Sequence, residues 1–223
     1  MKIQNDSVIG IFGAGGHGRE IMPVLQRMMQ NDGYNPQTKL YFVVEPAYKT
    51  SEKINNIELI STTDFYKLNA KKHFNVAISD HQTRKKLADE AISNGCIALN
   101  IIDPSSLILD NSIIGEGAMI SPFVAITSNI KIGKFFHANI KAHVSHDCVI
   151  GDYVTLSPSV SCNGHVHIGN NVFIGSGAVI RNGSTSKPLT IGDNAVIGMG
   201  AVVVNDVAAN TMVVGNPAKI FKK

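Results

Sequence analysis

The stretch VSHDCVIGDYVTL, residues 144–156, repeats with a period of six: Val144, Ile150 and Leu156 are apolar, and Gly151 follows Ile150. Stepping by six in both directions gives Ile102, Ile108, Ile114, Ile120, Ile126, Ile132 and Ala138 upstream. Downstream it gives Cys162, Ile168, Ile174 and Ile180, again with no polar residue. A second apolar or small series lies four steps into each hexad, including Ala118, Val124, Ile130, Ala142, Cys148, Val154, Val160, Val166 and Val172. A period of six matches neither the 3.6 of an α-helix nor the alternation of an ordinary strand. It predicts a short strand and a sharp corner, repeated, with three hexads closing one triangular coil of a left-handed parallel β-helix. The ladder points inward, and each buried rung contributes about 1.5–3 kcal/mol before entropy is subtracted. The glycines that follow the ladder, such as Gly115, Gly133, Gly151, Gly169 and Gly175, are expected at corners needing unusual backbone angles.

The phase breaks after Ile180. Residues 181–189, RNGSTSKPL, insert a polar, turn-rich segment, and the ladder resumes at Ile191, Ile197 and Val203. Such an insertion is expected to leave the coil as a loop. Residues 212–219, MVVGNPAK, no longer repeat and are expected to cap the solenoid.

Upstream of the ladder the pattern changes. Val8–Phe12 reads as a buried strand running into GAGGHG, residues 13–18, and then a helical pattern over Arg19–Met29. Leu40–Val44 and Asn75–Ser79 read as further strands, and His81–Asn94 as an amphipathic helix closed by Gly95. Alternating strands and helices imply a small parallel α/β domain. The expected division is a Rossmann-like α/β domain over residues 1–103 and an all-β left-handed β-helix over residues 104–223.

Composition narrows the function classes. The chain has 223 residues, 44% apolar and 17% charged, with net charge +3 and no long basic block, so nucleic acid is not an expected partner. No run of about 18 apolar residues predicts a membrane span. Three cysteines in unrelated contexts, Cys96, Cys148 and Cys162, argue against a disulfide framework and fit a reducing cytoplasm.

The glycine turn fits Gly-x-Gly-x-x-Gly at Gly13, Gly15 and Gly18. Glycines there let the backbone approach a diphosphate, and the following helix N-terminus supplies donors and positive potential. Glu45, ending the second strand, is placed to meet a ribose or a base. The same glycines also serve plain strand–helix packing, and a dinucleotide-dependent dehydrogenase is the rival the motif raises.

GAGGHG, VAISDHQTRKKL (residues 76–87), SHDCVIGDYV (residues 145–154) and VGNPAK (residues 214–219) together resemble the two-domain sugar acyltransferases of the sialic-acid O-acetyltransferase type. Within that family the chain is most similar to N-acetyltransferases of nucleotide-linked 4-amino-4,6-dideoxy sugars, such as the bacillosamine-pathway enzyme. The resemblance implies a homotrimer, acetyl-CoA as co-substrate along the groove between neighbouring β-helices, no metal, and a nucleotide-linked amino sugar at the glycine turn. It assigns Gly15, Gly16 and His17 to the nucleotide sugar, and Gly13, Glu45, Asp80 and Arg84 are expected beside them; the family's paired acids after the second strand read Val44-Glu45 here, a departure that bears on the identity of the nucleotide base. His146 is the implied base, Asp147 its acidic partner, Asn139 a polar group near the reacting atoms, and Gly164 a backbone N–H donor to the thioester oxygen. Ser176, Met199 and Gly200 fall at cofactor contacts, and Thr155 stands where the family has a cofactor-contacting histidine. The resemblance leans to a UDP sugar, then dTDP, with GDP also open. O-acetylation of a sugar hydroxyl is the alternative reaction.

The residue types suit the chemistry. The attacking amine must lose a proton, and an imidazole titrating near ~6.5 can take it. An adjacent carboxylate orients the ring and stabilises its cation. A backbone N–H at a glycine can approach the oxyanion. Gly164 is 18 residues beyond His146, so the β-helix places it one coil along, about 4.8 Å away. The surrounding histidines, His137, His143, His165 and His167, raise a zinc protein of the γ-class carbonic-anhydrase type as a further rival, and a non-catalytic sugar-nucleotide-binding protein is another.

Overall fold

The computed structural model describes residues 7–221. The chain divides between Pro104 and Ser105 into two compact units. No helix among the described residues is long and apolar enough to cross a membrane.

The first unit runs β1 (Ser7–Phe12), α1 (Gly16–Asn31), β2 (Lys39–Val44), β3 (Lys53–Ile54), β4 (Ile57–Ser61), α2 (Thr62–Lys67), β5 (Lys71–Val76), α3 (His81–Ser93) and β6 (Ile97–Ala98). Its sheet has the order β3-β4-β2-β1-β5-β6. β1 is central, parallel to β2 on one side and β5 on the other, with Gly10 opposite both Tyr41 and Phe74. Every residue of β1 is buried, as a central strand covered on both faces requires. The core gathers around Phe12, whose ring meets Phe65 and Phe74 with centroids 5.5 Å apart in edge-on pairs.

Two features depart from the expected pattern. The strand expected over Asn75–Ser79 lies at Lys71–Val76, because Lys71 and Lys72 enter the ladder opposite Ser7 and Val8 while the Lys72 ammonium donates to the Leu68 carbonyl oxygen at 2.9 Å. A lysine pair thus opens a strand. The segment Ile57–Lys67 supplies a strand and a short helix that periodicity alone does not mark. There Ser61 caps α2 by accepting from the Asp64 N–H at 3.1 Å and donating to the Asp64 carboxylate at 2.6 Å.

The second unit is a three-faced parallel β-helix of two- and three-residue strands. One face stacks His137–Ala138 on Thr155–Leu156 and Phe173–Ile174, the next stacks His143–Val144 on Ser161–Cys162, and the third stacks Val149–Ile150 on Val166–Ile168. The ladder fills the interior: Ile120, Ile126, Ala138, Val144, Leu156, Cys162, Ile174 and Ile180 are all fully buried. The 181–189 insertion leaves the coil, and the register across it widens to 23 residues, as in Asn170 to Asp193, with Ile191, Ile197 and Val203 buried beyond it. Met212–Val214 then pairs with Val196–Ile197 and ends the solenoid against Lys219–Ile220.

The glycines after the ladder have a different reason from the expected one. Gly115, Gly133, Gly151 and Gly169 are absent from the left-handed backbone positions. A Cβ at Gly115 would stand 2.6 Å from the Gly133 carbonyl oxygen, and at Gly133 or Gly169 it would overlap the carboxylate of Asp152 or Asp193. Those carboxylates accept the backbone N–H of Lys134 and Asn170 one coil earlier, at 2.8 and 2.7 Å. Glycine therefore lets consecutive coils close on a ladder of Asp and Asn side chains. The left-handed corner positions go mostly to other residues: Asn111, Asn129, Asp147 and His165 form one such column, with φ of 56–60°. Asn and Asp tolerate that region through local side-chain hydrogen bonds.

Candidate functional site

In the first unit the glycine turn resolves into two pairs. Gly13 has φ +103° and donates its N–H to the Val43 carbonyl oxygen at 2.9 Å. A Cβ at Gly18 would overlap the Gly13 carbonyl oxygen. These two glycines are demanded by the close packing of β1 against α1. A Cβ at Gly15 or Gly16 would meet nothing within 4 Å. Nothing among the described residues demands glycine at those two positions, and both line a cavity of about 620 Å³, a size usual for a ligand site.

Gly13, His17 and Glu45 line the same cavity, with Tyr48, Ile54, Leu59, Thr83 and Leu87. Gly15 caps α1 without a side-chain bond, and the first turn of α1 carries no acid, so backbone N–H groups face the cavity unneutralised. Burial holds the His17 imidazole below its ordinary range, opposed by Glu20 and assisted by the Arg84 charge. Glu45 is paired with the Lys86 ammonium at 2.9 Å.

Asp80 and Arg84 do not line the cavity. Asp80 caps α3 by accepting the Thr83 N–H at 2.8 Å, and hydrogen bonds from Thr83 hold its carboxyl below the usual carboxylate range. Arg84 is wholly buried and donates to the Ile78 carbonyl oxygen at 3.3 Å, so its charge acts from behind the cavity wall rather than at its surface.

In the second unit His146, Asp147 and Gly164 come together at one corner of the prism. Val144 points inward, and the chain turns at His146-Asp147 with Asp147 in the left-handed region at φ 58°. That conformation folds the carboxylate back, and its Oδ2 lies 2.8 Å from His146 Nδ1. Asn129, one coil earlier in the same column, donates from Nδ2 to Asp147 Oδ1 at 3.2 Å. The His146 bond, with help from Asn129 and His165, holds the Asp147 carboxyl below its ordinary range. A carboxylate at Nδ1 fixes the N–H there and leaves the Nε2 lone pair able to accept a proton. The His146 side chain is 57% exposed and faces solvent. Gly164 packs under it: an added Cβ would stand 2.6 Å from His146 Cε1. Glycine at 164 thus has a steric reason besides any role of its N–H.

Asn139, Ser176, Met199 and Gly200 lie on a different corner. The chain reaches them after the strands His137–Ala138, Phe173–Ile174 and Val196–Ile197, which share one face, and the Gly200 N–H donates to the Ser176 carbonyl oxygen at 2.9 Å. Met199 is 82% exposed. Thr155 lies on that face and is buried, so it offers little surface to a cofactor. Asn129 is not among the expected site residues, and His165, expected only as one of several surrounding histidines, places its Nε2 3.7 Å from Asp147 Oδ2. The signal was present, since Asn129, Asp147 and His165 recur at steps of 18.

Comparison with known proteins now adds to this geometry. Residues 8–91 match the family model described as the PglD N-terminal domain, and residues 165–204 match the hexapeptide repeat of succinyl-transferase. A GDP-perosamine N-acetyltransferase of Escherichia coli O157:H7 is 45% identical over 184 residues, 82% of each chain. WeeI from Acinetobacter baumannii AYE superposes with a TM-score of 0.91 at 42% identity, covering 96% of this chain and 100% of that one. A histidine variant of perosamine N-acetyltransferase from Caulobacter crescentus, in complex with CoA and GDP-perosamine, superposes with a TM-score of 0.85 at 26% identity over 100% of both chains.

Proposed function

The chain belongs to the nucleotide-sugar N-acetyltransferases, and from that premise we propose that it acetylates the 4-amino group of a GDP-linked 4-amino-4,6-dideoxy sugar of the perosamine type, with His146 as general base. It is an acetyltransferase, with acetyl-CoA as co-substrate and a nucleotide-linked amino sugar as acceptor. The observation that carries the base assignment is the 2.8 Å contact of His146 Nδ1 with Asp147, beside a glycine that leaves room for the ring.

The nucleotide is where the relatives move the reading, from UDP to GDP. Physical chemistry supports the move. Glu45 is the carboxylate among the cavity's lining residues. A carboxylate only accepts hydrogen bonds. The Watson–Crick edge of guanine presents adjacent N1–H and N2–H donors, whereas uracil and thymine present one N–H between two carbonyl oxygens. The diphosphate is assigned to Gly15, Gly16 and the N-terminus of α1.

In the transfer step His146 Nε2 takes the proton from the amine as its nitrogen bonds to the thioester carbon. Asp147 holds the ring and stabilises the imidazolium. The backbone N–H of Gly164 is assigned to the oxyanion, and CoA thiolate leaves with a proton returned from His146. The cofactor residues lie on another corner from His146, and one prism cannot turn two corners to one ligand. This supports a homotrimer in which acetyl-CoA lies between His146 of one chain and Asn139, Ser176, Met199 and Gly200 of a neighbour. Exposed Ile113, Phe123 and Val149 supply apolar surface for such packing. Free Cys96, Cys148 and Cys162 support a cytoplasmic setting.

A panel of GDP-, UDP- and dTDP-linked 4-amino sugars with acetyl-CoA, read by thiol release, tests the proposal. GDP-perosamine should react fastest; reaction only with a hydroxylated sugar defeats N-transfer. His146→Ala should lower kcat by about 10²–10⁴-fold with sugar-nucleotide binding retained, and unchanged turnover defeats the base.

A further inference from the structure

The corner that carries His146 holds a donor set larger than acetyl transfer uses. His165 stands one coil beyond Asp147, its Nε2 3.7 Å from Asp147 Oδ2, and its ring meets His146 edge-on with centroids 5.2 Å apart. One ligand atom each from His146, Asp147 and His165 lie within 4.8 Å of one another. Two ligands on a tetrahedral zinc ion, bound at about 2.0–2.1 Å, stand about 3.4 Å apart. The 2.8 and 3.7 Å spacings to Asp147 Oδ2 bracket that value.

We propose that His146, Asp147 and His165 bind a borderline divalent cation, zinc foremost, and that its binding switches the transferase off. Two imidazoles and one carboxylate suit zinc, copper or nickel, whereas magnesium and calcium take oxygen ligands. In the single chain the side chains are 57%, 38% and 23% exposed, so an ion that enters the groove proposed for acetyl-CoA reaches them without opening the fold. The site is also held from both sides. Asn129 Nδ2 fixes Asp147 Oδ1, and the 181–189 loop anchors the coil beyond through the Leu189 N–H to the His165 carbonyl oxygen at 3.1 Å. His143 takes no part, since its Nε2 lies 3.1 Å from Ser145 Oγ.

The off-state follows from proton placement. The His146 nitrogen that faces Asp147 is Nδ1. A metal bonded there uses its lone pair, and the one proton of the neutral ring then sits on Nε2. Asp147 exchanges its hydrogen bond to Nδ1 for a metal–oxygen bond and keeps Asn129 on Oδ1. No proton is gained or lost, yet Nε2 has no lone pair left for the amine's proton. This inhibitory arm rests on the proposed role of His146; the metal-binding arm does not.

The test is calorimetric titration of ZnCl2 into the chelator-stripped full chain, with ¹⁵N NMR of the imidazoles. Zinc should bind the parent and move the His146 proton from Nδ1 to Nε2, while MgCl2 gives no binding. His165→Gln and Asp147→Asn should each weaken zinc by more than about tenfold, with unchanged thermal midpoints showing that both fold. Zinc should halt transfer by the parent and EDTA should restore it, while His165→Gln, read against its own zinc-free rate, should need more than about tenfold more zinc for the same inhibition. Absence of zinc binding by the parent, or undiminished binding in both variants, overturns the site. Continued transfer with zinc bound overturns the switch. Zinc binding by a chain that transfers no acetyl group without metal overturns the base assignment instead and leaves the site standing.

Discussion

The glycine turn at 13–18 and the corner at 146–165, the two proposed ligand sites, are built in opposite ways. The turn offers backbone: Gly15 and Gly16 open onto a cavity, and the donors are main-chain N–H groups at a helix start. The corner offers side chains, with His146 and Asp147 raised on a rigid edge and a glycine beneath them. Glycine serves both, for different reasons. At 13 and 18 it lets a strand meet a helix, at 15 and 16 it leaves space for something outside the protein, and at 164 it leaves space for a neighbouring ring. The difference teaches that a binding glycine is recognised by empty space around its missing Cβ, and a packing glycine by occupied space.

The largest effect expected from this contrast is at Gly164. Gly164→Ala pushes a methyl into the His146 ring and should lower kcat about 10²-fold, since small misplacements of a catalytic group cost that much, with the thermal midpoint nearly unmoved. A variant that keeps its kcat would show that the ring does not depend on this space. Next come the two kinds of glycine in the turn. Gly18→Ala overpacks the β1–α1 junction and should destabilise the chain by about 1–3 kcal/mol in urea unfolding. Gly16→Ala should leave stability equal or higher by up to about 1 kcal/mol, yet weaken GDP-sugar binding about tenfold, or 1.4 kcal/mol. If both variants lose stability alike, the division into packing and binding glycines fails.

Acid should separate the two units. Burial holds His17 and His73, both in the first unit, below the ordinary histidine range. Their unfolded forms take up protons below about pH 6.5 while the folded forms resist. Stability is therefore intact above that pH and is lost as pH falls through the folded values. Helical circular dichroism, which the first unit supplies, should melt at lower temperature as pH drops from 7 to 5, ahead of the β-helix signal; simultaneous loss would contradict it. The smallest effect concerns Asp147. The His146 bond is the main reason its carboxyl lies low, so His146→Ala should raise its midpoint toward the ordinary carboxylate range in ¹³C NMR titration. An unmoved midpoint would mean that Asn129 and His165 suffice.

Much of this was legible in the sequence. The ladder from Ile102 to Ile180 predicted the solenoid because a period of six admits no other regular packing of its apolar residues. Step-of-18 spacing by itself puts Gly164 beside His146. Glu58 alternating with Leu59 in a five-residue strand left no comparable mark, and Lys71–Lys72 disguised the start of β5, because strand membership there is settled by pairing with β1 rather than by local pattern. Arg84 is polar by type and buried in fact, since burial depends on what α3 packs against.

By itself, then, the sequence determined the periodic half, the glycine turn and the adjacency of His146 and Asp147, because each depends on spacing along the chain. Only the tertiary structure decided which glycines open onto a cavity, that Asn129 and His165 complete the environment of Asp147, and that Asn139, Ser176 and Met199 stand on another corner. Those facts depend on which atoms of distant residues share a volume, and spacing within the chain does not set that.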